Sequence, residues 1–152
     1  MNDKVRKIIL PVAGVGKRLL PLTLTTPKNL ILLAGRPIVS YVLDEIHKTE
    51  LEEVVLIISS QHQAAYEEYL EKARKEYPGL KFHIRVQAEP LGHGHAILQA
   101  EDLIGEEPFV MRFCDDIIIG GQPTLARLIE LYEKKNRSAV LLARGPKEEI
   151  IR

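Results

Sequence analysis

Gly14 and Gly16, one residue apart and followed by Arg18 and then Lys28, are the first residues in this sequence equipped for chemistry. Glycines this close let a backbone approach a ligand and turn its N–H groups toward negative charge, and the two cations suit the same kind of ligand, a phosphate. Ala13 opens the same loop. Further on, Asp115 and Asp116 follow an apolar run. They are hard oxygen donors, the kind that Mg²⁺ takes one or two at a time together with phosphate and water oxygens. Side chains alternate along an extended strand, so only one of the two is expected to serve directly. Between these groups, Gln87 carries an amide with both a donor and an acceptor, matching the imide edge of a pyrimidine, and Gly92 would let a base approach the backbone.

Spacing separates the glycine loop from two familiar phosphate binders. A P-loop needs four residues between its glycines and a Ser or Thr after its lysine, whereas Lys17 is followed by Arg18. A dinucleotide fingerprint needs a third glycine where Leu19 stands, and an acidic residue where the second strand ends in Ser59 and Ser60. Zinc is not expected either. His93 and His95 are two apart at the start of a helical pattern and do not share a face. His95 is expected to cap or pack that helix start, and Cys114 to pack rather than to act as a nucleophile.

The elements that must position these groups alternate along the chain. Lys7–Val12 is a short, branched apolar run that reads as a buried strand delivering the glycine loop. A turn at Gly35-Arg36-Pro37 leads to a helix from Ile38 to about His47. Glu53–Ser59 is a continuous β-branched run, the mark of a strand covered on both faces. Tyr66, Tyr69, Leu70, Ala73 and Tyr77 form a helical stripe stopped by Pro78-Gly79, with the tyrosines packing rather than stacking on a base. Lys81–Val86 reads as a strand opening into the Gln87 loop, Ala96–Ile104 as one helix, and Pro108–Cys114 as a fourth strand. Pro123 starts a helix through Tyr132, and Ser138–Ala143 reads as a fifth strand. Such alternation predicts a three-layer α/β/α sandwich around a mostly parallel, Rossmann-like sheet. Ligands of such sheets bind at the carboxyl ends of the strands, where all three chemical groups fall.

The 152 residues suit one domain with a proper core, assigned to 1–152. Lys plus Arg and Asp plus Glu each number 21, so no net charge favours nucleic acid or a membrane surface, and no apolar run reaches the length of a membrane span. The single cysteine agrees with a reducing compartment, and the expectation is a soluble, cytoplasmic protein.

The order Gly14, Gly16, Arg18, Pro21, Pro27, Lys28 resembles the nucleotide loop of sugar-phosphate nucleotidyltransferases. Leu91-Gly92-His93-Gly94-His95-Ala96 is similar to the Gly-Leu-Gly-His-Ala segment of bacterial UTP–glucose-1-phosphate uridylyltransferases. The related thymidylyltransferases usually carry Gly-Leu-Ala-Gln-Ala there and an extra glycine in the first loop, and both differences favour uridine. The resemblance implies that UTP and a sugar-1-phosphate, glucose-1-phosphate in the first instance, give a UDP-sugar and pyrophosphate. It further implies Arg18 on the β- and γ-phosphates, Lys28 on the α-phosphate and Asp115 on Mg²⁺. Ala13, Gly14, Gly16, Gln87 and Gly92 would hold the nucleotide. Lys17, Asn29 and Leu32 depart from the pattern, standing where Thr, Glu and Pro are usual. Relatives of this kind also continue well beyond a point equivalent to Arg152, so the resemblance implies a nucleotide-binding portion whose own turnover is open. A thymidylyltransferase or a nucleotide-binding unit without turnover remains an alternative. An uncovered sheet edge through which copies self-associate is expected as well.

Overall fold

The computed structural model describes residues 4–118 and 123–142. Its strands are β1 (Lys7–Pro11), the two-residue strands β2 (Leu32–Leu33) and β3 (Arg36–Pro37), β4 (Glu53–Ser59), β5 (Lys81–Gln87) and β6 (Phe109–Met111). The helices are α1 (Ile38–Ile46), α2 (Gln63–Glu76), α3 (His93–Leu98), α4 (Glu101–Ile104) and α5 (Thr124–Lys135). The main sheet has the order β5-β4-β1-β6, and its strands all run parallel. Ile8 lies beside Val54 and Ile9 beside Val55, with Ile9 also beside Met111 on the other flank.

Alternation along β1 and β4 sends their side chains into two separate cores. Ile8, Leu10, Val54, Leu56 and Ile58 pack with Val42 and Leu43 of α1, Leu70 of α2 and Leu125 of α5. Ile9, Val55 and Ile57 pack on the opposite face with Ala96 of α3, Ala100 and Ile104. These strand residues are completely buried, each contributing roughly 1.5–3 kcal/mol relative to exposure, which is why both faces of the sheet must be covered. The expected three-layer sandwich with a parallel sheet is therefore present. Tyr66 and Tyr77 are buried packing residues, as their stripe implies, with their hydroxyls donating to Val12 O at 3.3 Å and to Asp44 Oδ1 at 2.8 Å.

Four local expectations need correction. Simple alternation is interrupted between β1 and α1 by three single-turn 3₁₀ segments and by the β2–β3 pair. That pair reverses at Ala34 and Gly35, both at positive φ, a backbone need that no periodicity reveals. The helix read over 96–104 is two pieces, because Gln99 and Ala100 make bonds to residues three back, yet Ala96, Ala100 and Ile104 still share one face. β6 ends at Met111 instead of Cys114, and Cys114 and Asp115 form a turn that Asp116 follows. Finally, residues 138–142 form no strand. They join no sheet edge, and Val140 and Leu142 are 78% and 86% exposed. Ala143, the Gly145-Pro146 turn and the charged tail lie outside the described residues.

Arg112 holds the end of β6 in place. Its N–H donates to Ile9 O at 3.1 Å, its guanidinium pairs with Glu45 of α1, and Nη2 donates to Asp116 O at 3.3 Å. Glu45 also accepts from the backbone N–H of Leu125 in the first turn of α5, at 2.8 Å. One carboxylate thus ties α1, the loop after β6 and α5 together, with both side chains of the pair largely buried. Replacing Glu45 by Ala leaves a largely buried guanidinium without its counter-charge and the backbone N–H of Leu125 without its acceptor. We expect stability in urea unfolding to fall by about 2–4 kcal/mol, seen as a lower midpoint at unchanged slope.

Candidate nucleotide site

The crossovers after β1 and β4 build the sheet outward to β5, and the chain then returns past β1 to lay down β6. The loops leaving β1 and β6 diverge at that reversal, and a crevice at such a point is where open α/β sheets take ligands. A cleft of about 400 Å³ lies there. Ala13, Gly14, Lys28, Gln87, Gly92 and Asp115, six of the eight candidate residues, line it. Arg18 does not line it. It is exposed, on the 3₁₀ turn Lys17–Leu19 that follows Gly16. A larger cleft of about 770 Å³ along Phe109, Val110, Met111 and Tyr132 holds none of the candidate residues.

The two glycines of the loop do different work. Gly16 has φ +63°, and a Cβ there would stand 2.9 Å from Thr23 Cγ2 and 3.2 Å from Lys28 Cβ. Thr23 is buried, with its hydroxyl donating to Gly16 O at 3.1 Å, so Gly16 is a packing glycine that brings the loop against the segment carrying Lys28. Gly14 lines the cleft, is exposed, and has open space where a Cβ would go. It is the glycine left for a ligand.

Lys28 Nζ and Asp115 Oδ2 are 2.6 Å apart across the cleft, 87 residues apart in sequence. Burial pushes the Asp115 carboxyl up, but the hydrogen bond and charge of Lys28, with smaller help from its own backbone and from His93, bring it below the usual carboxylate range. The aspartate is therefore ionised at neutral pH. Its side chain is 46% exposed, so a hard cation can reach it. Asp116 lines the same cleft, because β6 has ended before the pair and the alternation of an extended strand does not apply. Among the described residues no group of three or more His, Cys, Asp or Glu could hold a metal by itself. Mg²⁺ asks for less, and the donor set of Asp115 and Asp116 fits it when phosphate oxygens complete the shell.

Gln87 is the last residue of β5 and is buried. Its Nε2 lies 3.1 Å from Gly92 O and 3.0 Å from His95 Nδ1. Gly92, at φ +92° and ψ −178°, takes a conformation open to glycine and precedes α3. His95 does not cap the helix but turns toward Gln87. Cys114 is buried, and burial pushes its thiol up to about 12, in keeping with packing. Asn29, His93 and Phe113 also line the cleft; the first stood out only as a departure from the family pattern, the second was weighed only against zinc, and Phe113 carried no functional signal. His93 packs edge-on against Phe113 with ring centroids 4.6 Å apart, and buried Asn29 has an Oδ1 without a hydrogen-bond partner among the described residues.

The family model described as nucleotidyl transferase matches residues 6–150. A UTP–glucose-1-phosphate uridylyltransferase of Bacillus subtilis is 32% identical over 164 aligned residues, covering 96% of this chain and 56% of that protein. Among solved structures, a UDP-glucose pyrophosphorylase from Acinetobacter baumannii aligns with a TM-score of 0.77 at 28% identity, over 87% of this chain and 54% of its own. A UTP-bound UGPase from Acinetobacter baumannii aligns with a TM-score of 0.73 at 27% identity, over the same shares of the two chains. The chain spans about half the length of the relatives it matches.

The contrast between the two glycines is measurable. Gly16→Ala forces a left-handed alanine against Thr23 and should lower stability by about 1–3 kcal/mol. Gly14→Ala should leave stability within about 0.5 kcal/mol yet weaken binding of inorganic tripolyphosphate. Thermal unfolding and titration calorimetry on both variants separate the two effects.

Proposed function

This chain belongs to the nucleotidyl transferase family, and from that premise we propose that it binds UTP and serves the transfer of its uridylyl group to a sugar-1-phosphate, glucose-1-phosphate in the first instance. The observation that carries this reading is the meeting of Lys28 and Asp115 at 2.6 Å in a cleft also lined by Gly14 and Gln87. A cation, an accessible carboxylate, an open glycine backbone and a base-sized amide site are the parts a nucleoside triphosphate requires. The UTP-bound relative supports the choice of nucleotide, and the name of the Bacillus relative supports the choice of sugar.

In the reaction, an oxygen of the sugar phosphate attacks the α-phosphorus of UTP. The new P–O bond forms as the bond from the α-phosphorus to the bridging oxygen breaks, and pyrophosphate carries away the electron pair. A phosphate monoester is already ionised at neutral pH, so no protein base has to take a proton. The protein's part is alignment and charge neutralisation. Lys28 leaves Asp115 to meet the α-phosphate, and Arg18, on the exposed turn beside the loop, reaches the departing β- and γ-phosphates. Gly14 and Ala13 offer backbone to the phosphates, Gly16 keeps their loop against Lys28, and Gln87 and Gly92 hold the base. Asp115, with Asp116 beside it, would hold Mg²⁺, which supplies charge neutralisation on the phosphates. We further propose a cytoplasmic setting.

Mixing the protein with UTP, Mg²⁺ and glucose-1-phosphate should release pyrophosphate, and Lys28→Ala should lower the rate by at least about a hundredfold. UTP should bind more tightly than ATP or GTP, and Asp115→Asn should remove the Mg²⁺ dependence of UTP binding in calorimetry. UTP binding without pyrophosphate release would contradict the catalytic half of the proposal. Tighter binding of a purine nucleotide would contradict the base assignment.

A further inference from the structure

Both hydrogens of Gln87 Nε2 are committed inside the protein. One points to Gly92 O at 3.1 Å and the other to His95 Nδ1 at 3.0 Å. A carbonyl oxygen only accepts, so Gly92 fixes which end of the amide faces it, and His95 Nδ1 must then be an acceptor as well. The ring proton of neutral His95 is thereby on Nε2. The 3.3 Å approach of Gln99 Nε2 to His95 Nε2 brings two donors together and is not a bond in this tautomer. Gln99 donates instead to His95 O at 3.1 Å, holding the first turns of α3 together. With Nε2 spent, Oε1 is the one atom of the Gln87 amide left to address a ligand in the cleft.

We infer that His95 is a positioning residue that presents Gln87 to the base as an acceptor alone, so that the site selects a pyrimidine with an N–H at ring position 3 and rejects one with a lone pair there. This rests on the proposed binding of the base at Gln87. It also replaces the sequence expectation that Gln87 supplies a donor and an acceptor together. Uracil donates its N3–H to Oε1. Cytosine sets its N3 lone pair against Oε1, acceptor on acceptor, and a site whose polar group is left unpaired discriminates strongly. Gly92 O by itself would not achieve this, because it takes one N–H and leaves the second able to swing toward a cytosine acceptor. His95 removes that option. Its ring is half-buried on α3, between Gln87 at the end of β5 and Gln99 one turn further on.

The test compares dissociation constants for UTP and CTP, with inorganic tripolyphosphate as a probe of the phosphate loop alone. The unsubstituted protein should prefer UTP. His95→Leu should narrow the UTP-to-CTP ratio about tenfold while leaving tripolyphosphate binding unchanged, a pattern that general loosening of the fold would not give. His95→Asn sets Oδ1 where Nδ1 stood and should keep most of the ratio, whereas His95→Lys offers a donor and should lose it. That pair decides the matter if the leucine variant does not fold. An unchanged ratio in His95→Leu, or equal ratios in the Asn and Lys variants, would overturn the inference while leaving UTP binding intact. No preference for UTP in the unsubstituted protein would overturn the base-binding proposal beneath it.

Discussion

β1 and β4 are apolar on both faces, and from that constraint the placement of the cleft follows. A parallel strand with isoleucine and valine on either side cannot meet water on one of them, so crossover helices must cover both. α1 and α2 cover the first face while the sheet grows from β1 through β4 to β5. The second face is left to α3 and α4, and their crossover has to come back past β1 before β6 can pair with it. Loops that leave β1 and β6 must therefore part company above the sheet. The gap they leave brings Lys28 within 2.6 Å of Asp115.

Within that gap the site is held in readiness. Lys28 and Asp115 neutralise each other while no ligand is bound, which limits the cost of keeping two partly buried charges. A nucleotide that arrives with a cation can exchange this pair one for one, phosphate for Asp115 at the lysine and metal for Lys28 at the aspartate. Gly16 fixes the distance between the glycine loop and the lysine through its contact with Thr23. Glu45 and Arg112 do the corresponding work on the other side, anchoring the loop that carries Asp115 to α1 and α5. None of Gly16, Thr23, Glu45 and Arg112 lines the cleft, yet they set where the residues that do line it stand.

The parts of this arrangement that rest on periodicity were legible in the sequence. β1 and β4 are runs of apolar, branched residues, β5 alternates polar with apolar ones, and α1, α2 and α5 carry one-sided apolar stripes, so their burial and order could be read directly. The candidate residues of the cleft were legible because glycines, cations and acids fell at strand ends. What escaped notice depends on backbone angles or on contacts between distant segments. The reversal at Ala34 and Gly35 needs two positive φ values, and the split between α3 and α4 leaves the apolar spacing intact. The end of β6 is set by Arg112 reaching Glu45, a pairing across 67 positions that no local pattern encodes. His95 does lie in the first turn of α3, as the pattern implies, but its contact with Gln87, eight residues back, leaves no mark on the apolar spacing.

The central claim is that the crevice between the loops of β1, β5 and β6 is a uridine triphosphate site. A crystal structure of the protein with UTP and Mg²⁺ tests it most directly. The account predicts uracil N3 within hydrogen-bond distance of Gln87 Oε1, the α-phosphate within reach of Lys28 Nζ, the metal against Asp115, and the Lys28–Asp115 pair opened. Density for UTP in the larger cleft along β6, or a nucleotide bound while Lys28 and Asp115 stay paired, would contradict it.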